Sequence, residues 1–106
     1  MIKKITSIDD LSLKDINKIA DDAIKFSLNK KKIKKSKIKN IFNLFLEPST
    51  RTTVSFELAA KKLGHNIINI NFDKSSLSKG ETFNDTIATL VSMKPDALII
   101  RDQKEF

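Results

Sequence analysis

Two hydrophobic periodicities alternate along the chain. In the first, apolar residues fall at Ile16, Ile19, Ala20, Ala23 and Ile24, a spacing that predicts one face of an amphipathic helix. Ser12 with Asp15 three residues on reads as a capping box, and Leu11 and Ile16 are placed to form a hydrophobic staple. The helix is expected to run to about Lys30. Residues 41–46 are a short, nearly continuous apolar run. That pattern predicts a strand buried on both faces, as in a parallel sheet. Helical spacing returns at Phe56, Ala59, Ala60 and Leu63, giving a helix from about Thr52 to Leu63, with Gly64 as its C′ residue. Residues 67–72 are rich in β-branched side chains and predict a second strand. Thr82 and Asp85 suggest a cap, and Phe83, Ile87, Leu90 and Val91 form the next helical stripe. Pro95 and Asp96 mark a turn before a third strand, Ala97, Leu98, Ile99 and Ile100, with Arg101 at its end.

Alternation of strand and helix predicts an α/β fold: an open parallel sheet, flanked by helices in three layers, with right-handed crossovers. Residues 1–39 would form an N-terminal helix and basic loop, and residues 40–106 a βαβαβ core. In such sheets ligands bind beyond the carboxyl ends of the strands. At the end of the first strand, Pro48 makes a turn and Ser49, Thr50, Arg51 and Thr52 arrive in succession as the next helix begins. A helix N-terminus has free N–H groups and a partial positive charge of roughly half a unit. Hydroxyls and a guanidinium there suit a phosphate-like dianion. The second strand runs into a polar loop containing Ser75, Ser76, Ser78, Lys79 and Gly80, and the third runs into Arg101. All three groups are therefore expected on one sheet edge. An anion site is predicted between residues 49–52 and Arg101, with Lys79 reaching in from its loop.

Composition narrows the classes. A chain of 106 residues, 40% hydrophobic and 31% charged, reads as one globular domain. No apolar run approaches the roughly 18 residues that span a bilayer. Nothing apolar backs Met1-Ile2-Lys3-Lys4, so no secretory signal is expected. The lack of cysteine excludes disulfides and thiolate metal sites, and with His65 as the single histidine no metal-ligand spacing is present. The net charge of +7 lies wholly in residues 1–39, where 12 lysines face five acids. The run from Lys30 to Lys39 could be a nucleic-acid patch or a solvated helix end and loop, where cations are favoured anyway. It carries no interleaved aromatics and no nucleic-acid motif. Only two arginines, Arg51 and Arg101, stand among 18 lysines. Arg grips a phosphate or carboxylate through a rigid planar fork that Lys lacks. Both arginines fall at the predicted anion edge.

The sequence Ser49-Thr50-Arg51-Thr52, followed by Ser55-Phe56-Glu57, resembles the carbamoyl phosphate signature of the carbamoyltransferases. The preceding Phe45-Leu46-Glu47-Pro48, and the run from Ser75 through Lys79-Gly80-Glu81-Thr82, are similar to the aspartate carbamoyltransferase branch. Asp85-Thr86 and the strand ending Ile99-Ile100-Arg101 follow in the same order. The resemblance covers residues 40–106 well and implies part of a carbamoyl phosphate-binding domain, without the aspartate-binding domain. It implies transfer of a carbamoyl group from carbamoyl phosphate to L-aspartate, giving N-carbamoyl-L-aspartate and phosphate, a step of pyrimidine biosynthesis in the cytoplasm. Ser49, Thr50, Arg51 and Thr52 would hold the phosphate. Thr52 and Arg101 would also reach the carbamoyl oxygen. One loop serine, Ser75 or Ser76, would touch phosphate, and Lys79 would contact both substrates, the aspartate carboxylate included. No metal or other cofactor is implied, nor a nucleic-acid or membrane partner, and the complete protein would be a homotrimer in which that loop serves a neighbour.

Departures from the pattern are Thr53, where many members have a second Arg, and Asp102, where a His is usual. Family members are also several-fold longer, so little activity is expected of these 106 residues alone. Lying just past a helix end at the far edge of the sheet, His65 reads as a surface turn residue. Two alternatives stand beside this reading. One is ornithine carbamoyltransferase, against which Glu47-Pro48 and Lys79-Gly80-Glu81 argue. The other is a non-catalytic module that binds anions or nucleic acid through the lysine run, and it would be indifferent to loss of Arg51.

Overall fold

The computed structural model describes residues 4–30, 32–34, 36–46, 49–71 and 82–102. They belong to two units, residues 1–33 and Lys34–Glu105. In the first unit a short 3-10 helix, Ile8–Asp10, precedes α1, Leu13–Ser27. The Asp10 carboxylate accepts hydrogen bonds from the Thr6 N–H at 2.7 Å, the Thr6 hydroxyl at 3.0 Å and the Ser7 N–H at 3.1 Å. These donors, the Thr6 backbone foremost, hold the Asp10 carboxyl below its ordinary range. At α1 the predicted capping box is formed: Ser12 Oγ accepts from the Asp15 N–H and Asp15 Oδ2 from the Ser12 N–H, both at 3.1 Å.

α1 stops three residues short of the expected Lys30. Asn29 takes the left-handed conformation at φ 54°. The Asn29 N–H then returns to the Phe26 carbonyl and the Lys30 N–H to the Lys25 carbonyl. That is a Schellman termination with Asn in place of the usual Gly. None of the α1 residues is buried.

In the second unit β1, Asn40–Phe45, leads into α2, Thr50–Lys62, and β2, Asn66–Asn71. Then come α3, Phe83–Ser92, and β3, Ala97–Arg101. The strands form one parallel sheet in the order β2-β1-β3. Each strand begins or ends within a residue of its expected bounds, except that Phe72 lies outside the described residues. Being central, β1 pairs on both sides, which explains its nearly unbroken apolar run.

Its two faces carry different layers. Phe42, Leu44 and Leu90 form a buried cluster, with Ile70, Phe83, Ile87, Leu98 and Ile100 packed against it, so α3 covers the face of even-numbered β1 residues. On the opposite face Asn43 and Phe45 are buried, as is Ala60 of α2. The contact between α2 and the sheet is narrower than its apolar stripe suggested: Phe56 and Leu63 are 41% and 43% exposed. Asn43 is 1% exposed; its Nδ2 donates to Asn69 Oδ1 at 3.0 Å, but its own Oδ1 has no partner. A buried unpaired acceptor costs about 1–3 kcal/mol.

The amino ends of the strands are tied by polar contacts remote from the predicted anion edge. Asp96 Oδ2 accepts from the Asn40 N–H at 2.7 Å, and the Asp96 N–H returns to the Asn40 carbonyl at 2.9 Å. His65 Nδ1 accepts the Lys39 N–H at 3.2 Å, so His65 is half-buried and fixes the chain entering β1, more than a surface turn residue.

The end of α2 is a full Schellman motif, with the Gly64 N–H on the Lys61 carbonyl and the His65 N–H on the Ala60 carbonyl. Gly64 sits at φ 80°, and a Cβ there would meet nothing within 4 Å. The cost of Gly64→Ala is thus backbone strain alone, about 1–2 kcal/mol. Urea unfolding should show a lowered midpoint with an unchanged slope.

Candidate functional site

Helix α2 begins where the three strands end. Phe45 is in register with Asn71 on one side and Arg101 on the other, so the carboxyl ends lie level. The Leu46 N–H extends the β1–β3 ladder by donating to the Arg101 carbonyl at 2.9 Å. Ser49 is the N-cap residue, and Thr50, Arg51 and Thr52 are the first three residues of the helix. The start is two residues earlier than periodicity indicated. The hydroxyls and guanidinium therefore belong to the first helical turn itself.

This helix start is unlike the others described. Ser7, Ser12 and Thr82 each accept a backbone N–H at the start of their helices, and each of those first turns carries an acid. At α2 the Ser49 side chain makes no capping bond, and the first turn has no acid. The first intrahelical bond runs from the Thr53 N–H to the Ser49 carbonyl. The N–H groups of Thr50, Arg51 and Thr52 thus have no carbonyl partner within the helix. A half-buried hydroxyl, three N–H groups and the positive end of the helix dipole remain for an outside acceptor.

Arg101 completes the edge. In register with Phe45, its side chain shares the α2 face of the sheet. Its guanidinium donates to Thr52 Oγ1. The two residues are 49 positions apart, and the fold alone brings them together. With its oxygen engaged by a cation, the Thr52 hydroxyl keeps its own proton to donate outward. Thr52 is half-buried, while Arg51 and the rest of Arg101 are exposed. Ser55 spends its hydroxyl on the Thr52 carbonyl at 3.0 Å and is not turned to the edge. Asp102, half-buried, follows immediately.

Ser49, Thr50, Arg51, Thr52 and Arg101 therefore gather at one edge, as expected. Ser75, Ser76 and Lys79, like Glu47 and Pro48, lie outside the described residues. The Asn43–Asn69 pair escaped sequence reading; its trace was an amide at matching places within two apolar runs. Among the described residues no cluster of His, Asp or Glu could hold a metal ion, and no helix is long and apolar enough to cross a membrane.

Donors without acceptors predict a trade between stability and binding. Ser49→Asp should cap α2 and raise stability by about 0.5–1 kcal/mol, because a carboxylate suits a free helix N-terminus. The same charge should weaken binding of inorganic phosphate by at least about tenfold. Urea unfolding and a phosphate titration on one sample test both signs.

A family model described as "Aspartate/ornithine carbamoyltransferase, carbamoyl-P binding domain" matches residues 3–106. The chain is 46% identical over 105 residues to a protein from Pelagibacter ubique named aspartate carbamoyltransferase catalytic subunit, covering 95% of this chain and 34% of that protein. A protein of the same name from Bartonella tribocorum is 46% identical over 103 residues, covering 93% of this chain and 32% of its own length. Among solved structures, an ornithine carbamoyltransferase from Burkholderia thailandensis superposes with a TM-score of 0.69 at 25% identity, over 94% of this chain and 35% of that one. The chain spans about a third of the length of these relatives.

Proposed function

The chain belongs to the aspartate/ornithine carbamoyltransferase family, and on that premise we propose that it is the carbamoyl phosphate-binding part of an aspartate carbamoyltransferase. The observation that carries the reading is the uncapped, acid-free start of α2 with Arg101 held against Thr52. Identity favours aspartate over ornithine as acceptor: the relatives at 46% are named for aspartate, and the ornithine enzyme stands at 25%.

In this reading the phosphate of carbamoyl phosphate lies over the first turn of α2. The N–H groups of Thr50, Arg51 and Thr52, the Ser49 hydroxyl and the Arg51 guanidinium donate to its oxygens. The carbamoyl oxygen faces Thr52 and Arg101. The aspartate amine attacks the carbamoyl carbon, its lone pair forming the new C–N bond while the carbonyl electrons move onto oxygen. The Thr52 hydroxyl and the Arg101 guanidinium meet that growing negative charge. Collapse of the tetrahedral species breaks the C–O bond to phosphate, the proton lost from the attacking nitrogen leaves on that phosphate as hydrogen phosphate, and Arg51 takes up the charge of the leaving group. Positioning and preorganised donors supply the acceleration, without a covalent enzyme intermediate. Lys79 and a serine of the loop, Ser75 or Ser76, add contacts to phosphate and to the aspartate carboxylate. The remaining two-thirds of the protein supplies the groups that choose and orient the amine, and the whole acts as a homotrimer in the cytoplasm.

An Arg51→Lys change keeps the charge but loses the fork. In the complete protein it should lower turnover by about 10²–10³, as loss of one oxyanion donor does. Carbamoyl transfer assayed with aspartate and with ornithine tests the assignment. Near-normal turnover of the variant would overturn the role of Arg51, and transfer to ornithine alone would overturn the choice of substrate.

A further inference from the structure

We propose that two cross-strand asparagine pairs, Asn43–Asn69 and Asn40–Asn66, are positioning elements that lock the register between β1 and β2. They thereby hold α2, which packs on both strands, at the level of the anion edge. The functional half of this proposal rests on the reading of that edge as a carbamoyl phosphate site.

Both pairs are direct. Asn43 Nδ2 donates to Asn69 Oδ1 and Asn66 Nδ2 donates to Asn40 Oδ1, each at 3.0 Å, and in each case the two residues are partners in the parallel ladder. Three positions separate the pairs along each strand, so they lie on opposite faces of the sheet. The first is on the α2 face, with Asn43 almost fully buried and one end of its amide unpartnered. The second is exposed at the other end of the ladder.

The apolar pattern alone leaves the register open. Side chains repeat every two residues, so a slip by one residue turns the apolar set of β2 to the wrong face, but a slip by two does not. Sliding β2 by two in one direction would set Asn43 against Asn71 while leaving Asn40 against Ile68. In the other direction Asn43 would face Ile67. Slips by three rejoin one amide pair at most and also reverse the faces. Among these alignments only the observed one matches both pairs. A buried, half-satisfied amide is a poor way to gain stability, yet it penalises every alignment that leaves it wholly unpaired.

The consequence falls on the anion edge. A two-residue slip displaces the end of β2 by roughly 6.6 Å relative to β1. Helix α2 contacts both β1 and β2, and its first turn carries the anion-edge residues Thr50, Arg51 and Thr52. Shifts of about 1 Å already disable reacting geometries. Correct register is thus a condition for α2, which rests on both strands, to hold Thr52 against Arg101, and neither Asn43 nor Asn69 need touch the ligand.

The test compares the chain with two variants: N43L/N69I, which removes the buried pair, and N40T/N43L/N66T/N69I, which removes both. Interstrand NOEs read the register, and titration with inorganic phosphate reads the site. The fourfold variant should stay folded with an undiminished urea midpoint, show a second set of β1–β2 NOEs displaced by two residues, and bind phosphate about tenfold more weakly, the worth of one lost charge-assisted donor. The double variant should show the same second set at lower population. A single native NOE set in every folded variant overturns the proposal, and should the fourfold variant not fold, the double variant decides alone. Absence of phosphate binding by the unaltered chain would overturn the functional reading, while the NOEs would still settle the register.

Discussion

Parallel pairing of β1 on both of its edges is the constraint on which the rest of the described sheet depends. It requires a strand apolar on both faces, and Phe42, Leu44 and Phe45 meet that need. It places α2 and α3 on opposite faces, since each face must be covered. It also brings Phe45, Asn71 and Arg101 to one level. The contact between Arg101 and Thr52 follows from that level. A guanidinium at the end of β3 can reach the first turn of a helix that starts just beyond β1, and no local feature of either segment would bring them together.

The two ends of the sheet then divide the work. At the amino end, polar groups are paired among themselves: Asp96 with the Asn40 backbone, and His65 with the Lys39 N–H. At the carboxyl end, the first N–H groups of α2 have no carbonyl partner within the helix. Ser49 makes no capping bond, no acid stands in the first turn of α2, and the dipole of a 13-residue helix points outward. The helix start, closed by its own side chains in the other described helices, is here left open. Such an arrangement gives up the stability a cap would bring, and an anion bound there would restore it.

Much of this was legible in the sequence because it rests on short-range rules. The capping box at Ser12, the cap at Thr82, the Gly64 termination and the three strands each carry a local signature. So does the crowding of residues 49–52 at a strand-to-helix turn. Two helix boundaries depart from the local apolar pattern for physical reasons. Asn29 stops α1 by adopting a conformation usually left to Gly, and α2 starts at Thr50, with Ser49 as an N-cap whose side chain makes no capping bond, before its apolar stripe begins. The stripe on α2 overstated its burial, since only Ala60 comes close enough to the sheet to be enclosed. Long-range pairings were out of reach: His65 with Lys39, Asp96 with Asn40 and Asn43 with Asn69 depend on register, which no single segment encodes.

An anion site built on the first turn of α2, at the carboxyl edge of the sheet, has its plainest test in backbone amide shifts followed during titration with carbamoyl phosphate. Saturable shifts are expected at Thr50, Arg51, Thr52 and Arg101, with Lys39, Asn40, His65 and Asp96 at the opposite edge unmoved. Shifts confined to the lysine-rich segment before β1, or spread evenly over both edges, would contradict it.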